Sequence, residues 1–212
     1  MKKIDISGWK RKKQFEFFKD YDDPFYNICS EVEITELHKF CKKTETSFFI
    51  TSLYLSQKTM NEIEEFKYRI KEDGIWFYET INAGSTVLND DETFRFCYFN
   101  HFETFQKFYE KSKENLEESA KENDLTQNPF DENVVFYSVV PWISFSSISH
   151  AKKHSKYDSI PRIVFGKYFK RENKLFMPVS IEVHHSLIDG FHVGKYYEKL
   201  TEKFQNPQLE LL

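Results

Sequence analysis

Glycine and proline are scarce, at six residues each in 212, and no Pro/Gly/Ser-rich stretch interrupts the chain. The sequence offers no linker at which to divide it, and we expect a single domain over residues 1–212. Cysteine is scarce too. Cys29, Cys41 and Cys97 lie far apart and form no CxxC pair, which excludes a disulfide framework and points to a reducing compartment. Positive charge is in deficit: 30 Lys and Arg against 34 Asp and Glu leave a net charge of −4, so no general basic face is available for nucleic acid. No run approaches the roughly 18–20 apolar residues that a membrane helix requires. The opening MKKIDISGWKRKK has no apolar segment after its charges, which argues against a secretory signal. A cytoplasmic location is the expectation.

What the chain has in excess is aromatic. Its 23 Phe and 12 Tyr must line a core, a pocket or a subunit contact. Their spacing also gives the elements. A helix is predicted from Lys10 to Asp20 around Phe15, Phe17 and Phe18, and a strand over Asn27–Ile34, where apolar and polar residues alternate. Thr35 can open a short helix with Leu37, Phe40 and Cys41. A longer helix through Phe48, Phe49, Leu53 and Met60 follows. Two β-rich runs flank Asp73-Gly74 and predict a hairpin, and STVLN and TFRFCYF continue as strands. Phe102, Phe105, Phe108, Tyr109 and Leu116 recur at helical spacing, on a helix expected to reach about Asn123 with a solvated, charged outer face. The last third reads as strands (VVFYSVV, PRIVFGKYF, KLFMPVSIEV) before a final helix with Val193, Tyr196, Tyr197, Leu200 and Phe204 on one side. Several connections are too short for parallel crossovers, so the expected fold is α/β, a two-layer sandwich with a mixed β-sheet and helices on one side.

The sharpest local signal is His184-His185-Ser186-Leu187-Ile188-Asp189-Gly190, at the end of a strand. Imidazole is both base and acid near neutral pH, and the edge of a sheet is where it can meet a substrate. Asp189 could orient that ring, pair with an arginine or cap the final helix. Taken alone, two histidines at a strand end are more often structural than catalytic. A metal reading finds no HExxH or comparable ligand set. His150 and His154 are spaced i, i+4, but they lie in the loop-like SISHAKKHSKYDS, where surface histidines are ordinary. No metal is expected.

The longer string VHHSLIDGFHVGKY resembles the active-site signature of the chloramphenicol acetyltransferase family, HHxxxDG followed by FHV and a helix. DISGWKRKKQFEFF near the start, SVVPWISF at Ser138–Phe145 and FGKYFKRENKLFMPVSIEVHH are similar to further segments of the same family, so the resemblance covers almost the whole chain. It implies a homotrimer with active sites at subunit contacts and acetyl-CoA as co-substrate. A hydroxyl of chloramphenicol would be the acceptor, and the outcome antibiotic resistance. His185 matches the general base, and Ser138 the hydroxyl that stabilises the tetrahedral intermediate. Asp189 and Arg11 match a buried ion pair supporting the site, and Lys167 and Tyr168 match residues along the CoA site, which the spacing puts on a strand. Phe18, Tyr26, Phe94, Phe136 and His150 are the implied acceptor-binding residues.

Departures from the family pattern fall around the acceptor. Phe18 stands where Tyr is frequent, Tyr26 where Phe is frequent, and His150 at a position usually held by Leu. Gly84 lies near a usual polar residue, and Val164 replaces a Thr. Two alternatives remain open: the same chemistry on another hydroxyl acceptor, or a catalytically weak homologue that serves as a trimeric binding protein.

Overall fold

Alternation along the strands builds two very different sheet faces, and this sets where the site can form. The structure, a computed structural model, describes residues 1–121, 128–152 and 155–212. In chain order the elements are β1 (Lys2–Lys3), α1 (Lys12–Phe18), β2 (Phe25–Glu33), α2 (Thr35–Thr44), α3 (Phe48–Asn61), a 3-10 turn (Glu64–Lys67), β3 (Tyr68–Lys71), β4 (Gly74–Phe77), β5 (Asn82–Leu88), β6 (Phe94–Phe99) and α4 (Phe105–Ser119). There follow β7 (Val134–Val140), β8 (Arg162–Gly166), β9 (Phe169–Arg171), β10 (Lys174–His184), α5 (Gly190–Gln205) and α6 (Gln208–Leu211).

The main sheet runs β2-β10-β8-β7-β5-β6, with β9 paired to β10. It is mixed: β5, β7 and β8 are parallel, and the other neighbours are antiparallel. Tyr137, Ile163, Ile181 and Ile28 lie in one row across it and face the helices, since the Tyr137 hydroxyl bonds Ser56 of α3. α3 is buried nearly all round and forms the middle of the helical layer, with Ser47 accepting the Ile50 N–H at its start. α5 lays Val193, Tyr196, Leu200 and Phe204 against it. The sandwich expected from the sequence is the one observed.

The opposite face carries the rows Ser138–Val164–Ser180–Cys29 and Phe136–Arg162–Glu182–Asn27. No helix covers it. The β7–β8 connection, residues 141–161, crosses part of this face without regular helix or strand among its described residues. Phe145 seats on Gly166, where a Cβ would come within 2.8 Å of its ring, and Lys152 lies 3.7 Å from the buried Glu182. The half of the face over β5, β6 and β7 keeps Phe94 exposed and Phe96, Tyr98 and Phe136 half-buried.

The hairpin predicted at Asp73-Gly74 is β3–β4, with Gly74 at φ 133°, a value that disfavours a side chain. It belongs to a separate three-stranded sheet completed by β1, a pairing that the two-residue Lys2–Lys3 strand is too short to signal. Arg69, fully buried, ties the two sheets together. Its guanidinium donates to the carbonyls of Phe66, Tyr68, Glu132 and Val134 at 2.7–2.8 Å. The helix expected over Lys10–Asp20 is shorter, because Phe17 is exposed and only Phe15 and Phe18 pack. The strand expected from Asn27 begins two residues earlier, at Phe25. Helix α4 is described to Ser119, and its expected end near Asn123 lies outside the described residues.

Candidate active site

β10 ends at His184, and the chain turns over His185–Ile188 into the N-terminus of α5, so the two histidines face different surroundings. His184 is buried, with Nδ1 2.7 Å from the Ser186 hydroxyl, and burial pushes its pKa down to about 4. It is a neutral structural ring. His185 is fixed by the Pro24 carbonyl accepting its N–H at 2.9 Å, and its side chain stays 35% exposed.

Two rings clamp the His185 imidazole. Phe18 stacks on it with centroids 4.0 Å apart and planes at 11°, and Tyr26 leans against it at 4.6 Å. The Tyr26 hydroxyl donates to the Ile188 carbonyl at 3.2 Å, and burial raises its pKa far above the ordinary tyrosine value. His185 Nδ1 is buried without a hydrogen bond and stands 3.4 Å from Asp189 Oδ1. A carboxylate beside Nδ1 favours the tautomer protonated there and leaves the lone pair on Nε2.

Asp189 meets Arg11 through two bonds, Nη1–Oδ2 at 2.5 Å and Nη2–Oδ1 at 3.1 Å. The Arg11 hydrogen bond holds the Asp189 carboxyl below its ordinary pKa despite partial burial. Trp9, packed edge-on against Tyr68 at 5.1 Å, anchors the loop that delivers Arg11. Two further residues, absent from the sequence-based set, stand behind Asp189. His192 Nδ1 accepts the Asp189 N–H at 2.9 Å, and His192 Nε2 lies 3.4 Å from Glu65. The signal was a polar residue at the helix start followed by a hydrogen-bonding side chain three positions on.

Ser138 is not at this turn. It sits on β7 level with Ser180 of β10, with β8 between them, so its backbone lies on the order of 15–20 Å from that of His185. Phe136 precedes it on the same uncovered face. Phe94 is further away, on β6, at the opposite edge of the sheet from the strand that carries Tyr26. Apart from His150, Lys167 and Tyr168, the implied site residues thus form two groups. Phe18, Tyr26, His185, Asp189 and Arg11 make one, and Phe94, Phe136 and Ser138 lie on the uncovered face.

His150 is not the ordinary surface histidine that its loop suggested. It is half-buried with Nε2 unpartnered, and burial, then Arg162 and Lys152, lower its pKa. His154 lies outside the described residues. Gly84 is closed off, since a Cβ there would stand 2.9 Å from the Tyr98 ring and 3.2 Å from that of Phe136. Val164 is fully buried.

β8 and β9 both run along β10, but three residues, 166–168, stand opposite two, 177 and 178, and the ladder is interrupted there. Lys167 and Tyr168 occupy this break rather than a strand. They line a cavity of about 400 Å³ with Phe48, Phe49, Val139, Phe165 and Met177. Ser52, also in its wall, is buried with Oγ unpartnered. The walls are largely apolar, with one unsatisfied hydroxyl and one lysine among the lining residues.

The family model for chloramphenicol acetyltransferase matches residues 1–201. The chain belongs to the chloramphenicol acetyltransferase family. A chloramphenicol acetyltransferase of Proteus mirabilis is 27% identical over 200 residues, 94% of this chain and 92% of that protein. A solved chloramphenicol acetyltransferase superposes with a TM-score of 0.90 at 30% identity, covering 96% of this chain and 99% of the other. The cubic core of a pyruvate dehydrogenase multienzyme complex shares the fold alone, with a TM-score of 0.66 at 14% identity over 95% of this chain and 89% of that one. The family is one of acyltransferases, so the signature His184–Gly190 stands in an enzyme frame. No helix among the described residues is long and apolar enough to cross a membrane.

Proposed function

We propose that this chain, as one catalytic domain, transfers the acetyl group of acetyl-CoA to a hydroxyl of chloramphenicol, with His185 as general base. The observation that carries the reading is the Arg11–Asp189 pair, which holds the turn presenting His185 between Phe18 and Tyr26. Nε2 of His185 takes the proton of the acceptor hydroxyl as that oxygen attacks the thioester carbonyl carbon. The carbonyl oxygen gains the negative charge, and a serine hydroxyl donates to it, a contribution of about 3 kcal/mol. Collapse breaks the C–S bond, and the imidazolium returns its proton to the leaving CoA sulfur. Asp189, close to Nδ1, favours the ring while it is positive. Lys167 and Tyr168 would hold the carrier, whose thioester supplies the activated acyl group.

The serine must come from elsewhere. With Ser138 so far from His185 in one chain, the reading requires Ser138 of a second copy, and with it Phe94 and Phe136 on the uncovered aromatic face. A homotrimer gives each copy both contacts, one through its His185 edge and one through its sheet face. A cytoplasmic location is part of the proposal.

The test is thiol release from acetyl-CoA, with and without chloramphenicol, by the parent and by His185→Ala. We expect drug-dependent release that falls about 10²–10⁴-fold in the variant, with the melting temperature little changed. A variant within tenfold of the parent removes His185 from the mechanism. A second reading, another hydroxyl acceptor, is favoured by one observation: the unpartnered His150 nitrogen where a Leu is usual. Release with another hydroxyl compound but none with chloramphenicol would select it.

A further inference from the structure

The peptide unit joining Ile188 to Asp189 is held at both ends. Its carbonyl, Ile188 O, accepts from the Tyr26 hydroxyl at 3.2 Å, and its N–H, on Asp189, donates to His192 Nδ1 at 2.9 Å. The Asp189 carboxylate on that peptide faces His185 Nδ1 at 3.4 Å and Arg11 on its other side. Turning the peptide would swing the carboxylate away from both. We propose that His192 is a positioning residue whose neutral imidazole fixes the Ile188–Asp189 peptide, and through it the Asp189 carboxylate against His185. This rests on His185 being the general base.

The chemistry of the ring allows one protonation state. A nitrogen that accepts an N–H carries no proton, so the His192 proton sits on Nε2, which lies 3.4 Å from Glu65 Oε1. Glu65 is itself buried and paired with Lys10 at 3.0 Å. The charged groups facing His192 are Glu65 from the 3-10 turn, Arg11 ahead of α1, and Asp189 and Lys195 from its own turn and helix. Burial lowers its pKa, outweighing Glu65, which keeps the ring in the accepting form at neutral pH. A protonated His192 could not accept the Asp189 N–H at all. The polar residue usually found at this third helical position is Glu or Gln, reaching back to the same N–H, so a glutamine can replace this function and a leucine cannot.

The experiment compares His192→Leu with His192→Gln, and reads the ring itself in the parent. Nitrogen-15 NMR of the parent at pH 7 should show His192 as the Nε2–H tautomer, and His192→Leu should shift the His185 ring resonances. For chloramphenicol acetylation, His192→Leu should lose roughly 10- to 100-fold in kcat, the scale of a displacement of about 1 Å at a reacting group. KM for chloramphenicol should stay within about threefold, and His192→Gln should return kcat to within about fivefold of the parent. A purely structural role would move Tm and folded fraction alike in both variants, without the glutamine rescue. The proposal is overturned if the parent ring is the Nδ1–H tautomer or imidazolium at pH 7, if His192→Leu keeps kcat within twofold, or if both variants lose equally. If the parent acetylates no chloramphenicol, or His192→Leu does not fold, the parent tautomer and the His185 resonances of His192→Gln decide the matter. The Nε2–H tautomer with parent-like His185 resonances supports the proposal, and the Nδ1–H tautomer or displaced resonances overturn it. The His185 reading stands or falls separately, on the thiol release of His185→Ala.

Discussion

Phe18 lies flat on His185, 4.0 Å between centroids, and it is this contact rather than a hydrogen bond at Nδ1 that fixes the plane of the imidazole. Tyr26 closes the other side and is itself tied to the Ile188 carbonyl. Stacked aromatic pairs contribute about 0.5–1.5 kcal/mol beyond the area they bury. Phe18→Ala should therefore lower kcat roughly 2- to 10-fold through a looser ring, with the melting temperature nearly unchanged because Phe18 is only half-buried. Steady-state kinetics with a melting curve separates the two, and an unchanged kcat would show that the stack does not orient His185.

The Arg11–Asp189 pair should be coupled. Removing one member of a buried pair costs about 3–5 kcal/mol, and the lower end applies here because Asp189 is about one-third exposed. Arg11→Ala and Asp189→Ala should each lower stability and activity, and the double variant should lose less than the sum. Strict additivity in denaturant melts would show that the two are not partners. Since Arg11 depresses the Asp189 pKa, this contribution is present above the carboxylate's ordinary value and disappears as pH falls below about 4.

His184 predicts a second, milder acid limb. Its pKa falls from 6.5 to about 4 on folding, because burial disfavours the charged ring. Below pH 6.5 the unfolded chain takes up a proton that the folded chain does not, so stability declines from there to about pH 4. The loss is on the order of 3 kcal/mol at the bottom of that window. Melting temperatures between pH 7 and 4.5 should show the decline, and His184→Gln should flatten it; a profile of equal slope in the variant would assign the limb to other groups.

His150→Leu should raise both stability and chloramphenicol turnover. A buried polar atom without a partner costs about 1–3 kcal/mol, and leucine has none to satisfy. One apolar contact in a pocket discriminates by roughly 10- to 200-fold. If Tm rises and turnover falls, the ring serves the acceptor and the apolar reading of that wall is wrong.

The layers and the signature were legible because both depend on local pattern. Period-2 alternation gave β2, runs of strand-forming residues gave β7 and β10, and the stripe Val193, Tyr196, Leu200 and Phe204 gave α5. What escaped depends on partners remote in sequence. β1 exists only because β4 offers an edge, and Phe17 is exposed, meeting its chain neighbours Phe18 and Tyr21 rather than the core. Glu65 and His192 meet 127 positions apart, and no spacing rule joins a 3-10 turn to the start of α5. Gly84 reads as a pocket position in sequence, but two rings from neighbouring strands fill its place. Lys167 and Tyr168 sit in a run of strand-forming residues, and only the register against β10 reveals the extra residue that breaks the ladder.

The gap between Ser138 and His185 has a consequence for inheritance. A chain that carries its base on one rim and its hydroxyl on another surface is damaged by halves, not as a whole. On the reading proposed here, a cell holding two faulty copies of the gene, one without the histidine and one without the serine, would still make working enzyme. Wherever the sound rim of one product meets the sound surface of the other, a complete centre is restored. Two alleles that each fail alone would together confer the phenotype.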